Sequence, residues 1–522
     1  MNRHFIILLW AFGALIAIAA SGLARAQDAA HANVLCNGSF AQHKSDGSLS
    51  AWTAVPATWR PGTTVEGGES LVTLKTTDHV ASCALRQTIT VRPEWAKIVV
   101  RGYVRVTQTP KETPAASGSN CASASLQWRM KSTGTVVEAA TQRWAEITNG
   151  WVEINLLLDV PPGASQLIVT PQVVGANGSA DFRGFSVVAW VTTFDDEFNG
   201  SSIDPRKWTV SDGCDLLYAP GEQYFAPDHV IVEGGIARFH ADNVAHPARG
   251  PRPPLDGIYA NTLYGDYRYQ SGEIRSIGKF QQLYGCWEFR LKIPVVTGTW
   301  PAAYLLKWDE GWPPEIDVEE CSGNIMQTVI QTDVYSDGYG RMQRSWANFP
   351  SAGLDRSTWH TYAITWEPTA ISWYIDGVYR GATKAPEAGI PDVPMYIRLN
   401  LAVGTFGGDP AKSSWPQDMD CDYVHVYQRS DFPLPLYLEP SQEITLPTKS
   451  TILNAISCSP VSNMNVRWTL IEGPGAATIH DPHALKTQVT FSKPGMYRFQ
   501  LAVAKGATSA ARDLLVYVNP GR

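Results

Sequence analysis

The chain has 522 residues, of which 44% are hydrophobic, 11% aromatic and 17% charged, with a formal net charge of −7. At roughly 100–200 residues per domain this length predicts about three or four folding units. The apolar share excludes a disordered chain, and the acidic balance leaves no basic footprint for nucleic acid. Against so few charges the 19 Trp and 20 Tyr stand out, a balance found where flat amphipathic rings fill β-cores or stack on uncharged ligands.

The first residues carry Arg3 and His4, an apolar run from Phe5 to Ala20 and the small-residue site Ala24-Arg25-Ala26. This is the pattern of a secretory signal peptide over 1–26, and the run is short of the ~20 residues that a spanning helix needs. A secreted protein, extracellular or periplasmic, without an integral membrane span after cleavage is therefore expected. Export permits disulfides among Cys36, Cys83, Cys121, Cys214, Cys286, Cys321, Cys421 and Cys458, whose pairing stays open. None forms a CxxC pair, which argues against a zinc site.

Over 28–190 short apolar runs such as Ala96 to Val106, Trp151 to Val160 and Ser165 to Val174 alternate with Gly, Pro, Ser and Asn clusters, so an all-β sandwich is predicted. LCNGSFAQ (Leu35 to Gln42), followed by Trp52, resembles the start of bacterial jelly-roll carbohydrate-binding modules. Trp52, Trp59, Trp95, Trp128 and Trp144 are its aromatic candidates, each more readily a core or rim residue than a sugar platform.

A long middle unit over 192–428 has strand-like runs at Tyr284 to Pro294, Trp359 to Pro368, Ala370 to Gly381 and Pro394 to Gly404, with a hairpin turn at Ile375 to Gly377. Its Trp287, Trp359, Trp366 and Trp373 are expected in the core. A Pro-spaced linker over 429–441 leads to a small unit over 442–520 with Ig-like spacing of strands and turns. That unit resembles PKD-type modules through PGMYRFQLAV (Pro494 to Val503).

The chemistry is concentrated in PPEIDVEE (Pro313 to Glu320), where four carboxylates fall within six residues beside Trp308 and Trp312. On a strand, residues two apart share a face, so Glu315 and Asp317 point together, followed by Glu319 in a regular strand or by Glu320 if a bulge intrudes. Like charges so close raise at least one pKa, leaving a protonated acid beside ionised neighbours. A retaining glycosidase requires this division between a nucleophile and an acid/base about 5–5.5 Å apart. A solvated acidic edge or a calcium patch is the alternative for the six residues taken alone.

The surrounding chain from about Phe194 to Gln428 resembles glycoside hydrolase family 16. DEFNG (Asp196 to Gly200), SGEIRS (Ser271 to Ser276), YGCWEFRLKIP, GTWPAAYLL (Gly298 to Leu306), EIDVEE, WHTYAITWEP, WYIDG, LNLAVG (Leu399 to Gly404) and CDYVHVYQ (Cys421 to Gln428) appear in family order. The resemblance implies a central β-jelly-roll, concanavalin A-like, flanked by an N-terminal β-sandwich and a small C-terminal Ig-like sandwich. It implies an endo-acting retaining hydrolase of a β-glucan or related exopolysaccharide that acts as a monomer without a catalytic cofactor.

Family members carry ExDxE or bulged ExDxxE, and this sequence satisfies both. Gly323, three residues after Glu320, favours the bulged form. Glu315 is then the nucleophile, Glu320 the acid/base and Asp317 the residue between them, with Glu319 as the alternative acid. The same resemblance implies substrate binding by Trp300, Tyr304, Trp308, Trp312 and Asn400, and a structural calcium held by Glu197 and Asp422. Two departures weaken an inferred β-1,3-glucan preference: Tyr304 stands where laminarinase-like members have Trp, and Val334 where they commonly have His. Transglycosylation by the same site, or glycan binding without turnover, are the other functional readings.

Overall fold

The computed structural model describes residues 34–110, 121–213, 221–247, 267–309, 311–323, 328–336, 342–350, 354–385, 389–431, 436–438, 442–457, 464–505 and 508–520, with backbone only for the strands at 328–336 and 342–350. The expected signal segment, Cys214 and Cys458 lie outside them. Among the described residues all regular structure is β-strand or 3₁₀-helix, and no helix is long and apolar enough to cross a membrane. The chain divides into two compact units, Met1–Val191 with Arg429–Asp431 and Thr192–Gln428 with Phe432–Arg522.

The first unit is an antiparallel sandwich. One sheet runs in the order Thr53–Val55, Ser82–Thr90, Ala164–Val174, Ala122–Met130, Val136–Trp144. The other runs Gly62–Glu66, Glu69–Lys75, Ser179–Asp196, Lys97–Gln108, Val152–Asp159. Inward residues from both sheets form one core that includes Trp52, Trp95 and Trp128, while Trp59 and Trp144 are half-buried against it. The first three are therefore structural rings rather than sugar platforms. The Asn-Gly opening is a turn in which Asn37 adopts φ +50°, and its amide donates to the carbonyls of Gln42 and Ser50. Gly38 is needed for close approach, because a Cβ there would sit 1.8 Å from the Phe185 carbonyl oxygen.

The middle of the second unit is also two sheets packed face to face. One runs Val230–Glu233, Ile236–Ala241, Gln417–Arg429, Gly285–Lys292, His360–Glu367, Ala370–Ile375, Val378–Lys384. The expected hairpin turn is Asp376-Gly377, both at positive φ, which matches the twist of the flanking strands. The other, termed the site sheet, runs Thr209–Val210, Glu273–Arg275, Met395–Val403, Thr299–Lys307, Glu315–Cys321, Thr328–Ser336, Met342–Pro350.

Period-2 alternation divides the site sheet cleanly. Ala303, Leu305, Ile316, Val318, Ile397, Leu399 and Leu401 face the core and meet Trp287, Phe289, Ile364, Trp366 and Trp373 of the opposite sheet, each large apolar side chain contributing roughly 1.5–3 kcal/mol on burial. Trp359, expected in the core, is half-buried instead, with the Arg290 guanidinium 5.1 Å above its ring. Trp373 spans the core to donate its indole N–H to the Asp317 carbonyl at 2.9 Å.

The C-terminal part is a third sandwich with its own core around Trp468, Tyr497, Phe499 and Val516. Leu436–Leu438 lies beside Ser450–Ser457 in one of its sheets, inside the stretch expected to be linker. Residues 432–435 and 439–441 of that stretch lie outside the described residues. Tyr497 donates its hydroxyl to the Lys493 carbonyl at 2.8 Å, an arrangement similar to the tyrosine corner of Ig-like sandwiches.

Gly38→Ala is expected to destabilise the first unit by about 1–3 kcal/mol through overpacking, measurable as a lower urea midpoint. An unchanged midpoint would show that the turn can yield without cost.

Candidate functional site: carboxylates on a bulged strand

On the Glu315–Cys321 strand, Leu306 lies opposite Glu315 and Tyr304 opposite Asp317, but Ala303 lies opposite Glu319 and Ala302 opposite Glu320. The register slips at Val318. The neighbouring strand records the same slip, with Asp317 opposite Thr332 and Glu320 opposite Ile330. One extra residue in the strand is a β-bulge, and beyond it the inside and outside positions exchange. Glu315, Asp317 and Glu320 consequently share the outer face, whereas Glu319 turns to the core and is fully buried. The chain continues to Gly323, whose Cβ position would fall 2.0 Å from the Val296 carbonyl oxygen, so this return accepts only glycine.

Two indoles clamp the outer carboxylates. Trp312 donates its Nε1–H to Glu315 Oε2 at 2.7 Å, and Trp300 donates its Nε1–H to Glu320 Oε1 at 2.8 Å. Burial pushes the Glu320 carboxyl up to about 7; the Trp300 hydrogen bond opposes the shift and the Glu315 charge adds to it. The pair thus contains a carboxyl able to stay protonated near neutrality beside a second carboxylate, as acid-assisted displacement requires.

Tyr304 and Asn400 also reach this face, joined by a hydrogen bond from Asn400 Nδ2 to the Tyr304 hydroxyl at 3.2 Å. Trp308 makes no indole hydrogen bond to the carboxylates: it is half-buried and its indole nitrogen is buried without a hydrogen-bond partner. Val334 lies opposite Glu315 in register.

The sequence reading missed Glu273, Arg398 and Ser211, whose side chains form a buried network with Asn400. A signal for it existed in Arg398, which with Asn400 interrupts an otherwise apolar run, Met395 to Val403.

The expected calcium pair is not assembled. Glu197 contacts the His425 ring and Asp422 pairs with Arg290. Among the described residues no group of three or more His, Cys, Asp or Glu could hold a metal ion. One oxygen of each carboxylate is thus engaged by a side chain of the protein.

Residues 226–425 match the family described as Glycosyl hydrolases family 16. The chain carries a glycosyl hydrolase family 16 domain. Residues 439–518 match a PKD domain family and form the C-terminal module. Among curated proteins, the family 16 region is similar to Endo-1,3-1,4-beta-glycanase EglC of Rhizobium meliloti, 36% identical over 248 residues, covering 45% of this chain and 51% of that protein. Endo-1,3-1,4-beta-glycanase ExsH of the same organism is 32% identical over 246 residues, with the same 45% and 51% coverage. The chain thus spans about half the length of these relatives. The solved catalytic domain of an endo-1,3-beta-glucanase (laminarinase) from Thermotoga petrophila is similar at 27% identity and TM-score 0.39, covering 47% of this chain and 99% of that one.

The buried Glu319 gives the family 16 domain a pH signature. Neither carboxylate oxygen makes a hydrogen bond of ordinary geometry. Burial pushes this carboxyl up to about 8, opposed by the Cys321 thiol and the Arg356 guanidinium. The folded chain therefore retains a proton that the unfolded chain releases near 4.5, so the contribution of this group to stability falls as pH rises between those values. Glu319→Gln cannot ionise, and its unfolding midpoint is expected to gain on the parent's progressively from about pH 5 to about pH 8. Parallel pH curves for the two proteins would contradict the assignment.

Proposed function

We propose that this protein is a secreted, endo-acting, retaining β-glycosidase that hydrolyses internal linkages of a β-glucan or related exopolysaccharide. The observation that carries the reading is the bulge that brings Glu315, Asp317 and Glu320 to one face, with an indole N–H on each of the two outer glutamates. The family 16 domain and its similarity to endo-β-glycanases support the substrate class.

In this mechanism Glu315 attacks the anomeric carbon while the glycosidic C–O bond breaks, and Glu320 gives its proton to the leaving oxygen. Trp300 occupies Glu320 Oε1, which directs the acid proton to Oε2. In the second step Glu320 takes a proton from water, the water oxygen bonds to the anomeric carbon and Glu315 is released. Two inversions give net retention. Asp317 is buried on the same face, between them along the strand.

Glu315→Gln and Glu320→Gln are expected to lose nearly all turnover of mixed-linkage β-glucan, while Glu319→Gln keeps it, read by sizing the products over time. An active Glu320→Gln protein with a dead Glu319→Gln protein would reverse the register assignment. Proton NMR of the first product should show retained anomeric configuration, and an inverted product would overturn the two-step mechanism.

Because the acid works only when protonated, kcat/KM should fall about tenfold per pH unit above the Glu320 value of about 7. Activity that stays flat to pH 9 would exclude Glu320 as the acid.

A further inference from the structure

Behind the bulge, the apolar core of the family 16 domain encloses a cluster of polar side chains that the mechanism does not use. Glu319 and Cys321 point inward from the Glu315–Cys321 strand, Arg356 enters from the turn before His360–Glu367, and Tyr362 belongs to that strand. None of the four is more than 1% exposed. The Arg356 backbone is anchored, its carbonyl accepting from the Ile293 N–H at 3.0 Å. On the adjacent Thr299–Lys307 strand the residue opposite Glu319 is Ala303, which carries no charge.

These groups act on one another. Burial pushes the Cys321 thiol and the Tyr362 hydroxyl well above their ordinary values; Glu319 adds to both shifts and Arg356 opposes them, with Asp376 a further push at Tyr362. Arg356 is therefore the cation of the cluster, and the acids around it are neutral at neutral pH. A protonated Glu319 is compatible with this apolar site. An ionised one is not, because neither of its oxygens has a hydrogen-bond partner there.

Glu319 and Glu320 share a peptide unit and face opposite sides of the sheet beyond the slip at Val318. An ionised Glu319 can relieve its charge by turning towards the Arg356 guanidinium or by leaving the core, and the second move undoes the slip. Either one displaces Glu320 from the Trp300 indole that holds its Oε1.

Resting on the glycanase reading above, we infer that Glu319 is a positioning residue for that reaction: its proton, held against the buried Arg356, maintains the bulge that presents Glu320 to the cleft, and loss of this proton switches the site off without unfolding the domain. The switch is separate from the titration of the acid itself. Glu320 must carry a proton in order to donate it, whereas Glu319 must carry one so that Glu320 stands in place.

Glu319→Gln, the isostere of the protonated carboxyl, separates the two. On mixed-linkage β-glucan, kcat/KM of the parent should fall about tenfold per pH unit between about 7 and about 8, and about a hundredfold per unit above that, where two protons are required. The Glu319→Gln protein should keep the single-proton slope throughout and exceed the parent about tenfold at pH 9. Arg356→Met removes the charge that favours an ionised Glu319, so the steep limb should begin at a higher pH. A single-proton slope in both the parent and Glu319→Gln overturns the inference, whether or not Arg356→Met folds, and leaves the hydrolase reading in place.

Hydrogen exchange supplies a readout that needs no turnover. After correction for the intrinsic pH dependence of exchange, the amides of 315–321 in the parent should lose protection between pH 7 and pH 9 while the other core strands keep theirs. The Glu319→Gln protein should lose none. Equal protection of this strand in the two proteins at pH 9, or a loss in the parent that spreads over the whole domain, overturns the inference. A parent that shows the local, Glu319-dependent opening but cleaves no glucan overturns the hydrolase reading and upholds the switch.

Discussion

The slip of one residue at Val318 is the constraint on which the site depends. In an unbroken strand Glu319 would face outward and Glu320 inward; with the bulge their environments exchange. The backbone on both sides is held firmly. Trp373 donates across the core to the Asp317 carbonyl just before the slip, and Gly323 allows the chain to pass against Val296 just after it. Val318 faces the core in either register, whereas Cys321 reaches the core only because of the bulge. Packing behind the sheet thus selects which carboxylate stands in front of it.

Two adjacent glutamates acquire raised pKa values, but in different settings. For Glu320, burial acts with the Glu315 charge, and the Trp300 indole limits the shift. For Glu319, burial acts almost alone against Cys321 and Arg356. A carboxyl kept neutral in front of the sheet is a usable acid, whereas one kept neutral behind it makes the fold less tolerant of alkali. A proton at position 319 therefore helps the strand retain the register that exposes Glu320. The accompanying penalty is stability that declines with rising pH.

Much of this was legible in the sequence because it is local. The carboxylate spacing, the glycine three residues beyond Glu320 and the tryptophans flanking the acidic run all lie within one strand and its approaches. The aromatic roles were harder to read. Composition suggests stacking platforms, yet Trp300 and Trp312 also act through their N–H groups, and Trp52, Trp95 and Trp128 are absorbed by a core. The Glu273–Arg398 pair was illegible for a different reason. Its members are 125 residues apart, and their meeting depends on strand order and register, which local periodicity does not encode. Likewise the contacts of Glu197 with His425 and of Asp422 with Arg290 depend on strand register and were not readable from the matching positions alone.

The scarcity of charge across the chain gains a physical meaning from this arrangement. Charged groups ordinarily stay at the surface, yet the site sheet buries Glu273, Asp317, Glu319 and Arg398. Away from water, electrostatic interactions strengthen and unpaired groups become costly, so such residues are retained only where orientation or protonation must be held. On the outer face the two kinds of control lie side by side: a raised pKa at Glu320 and a fixed orientation at Asn400. Only the methyl group of Ala302 stands between the two in register, so the same strand row carries both.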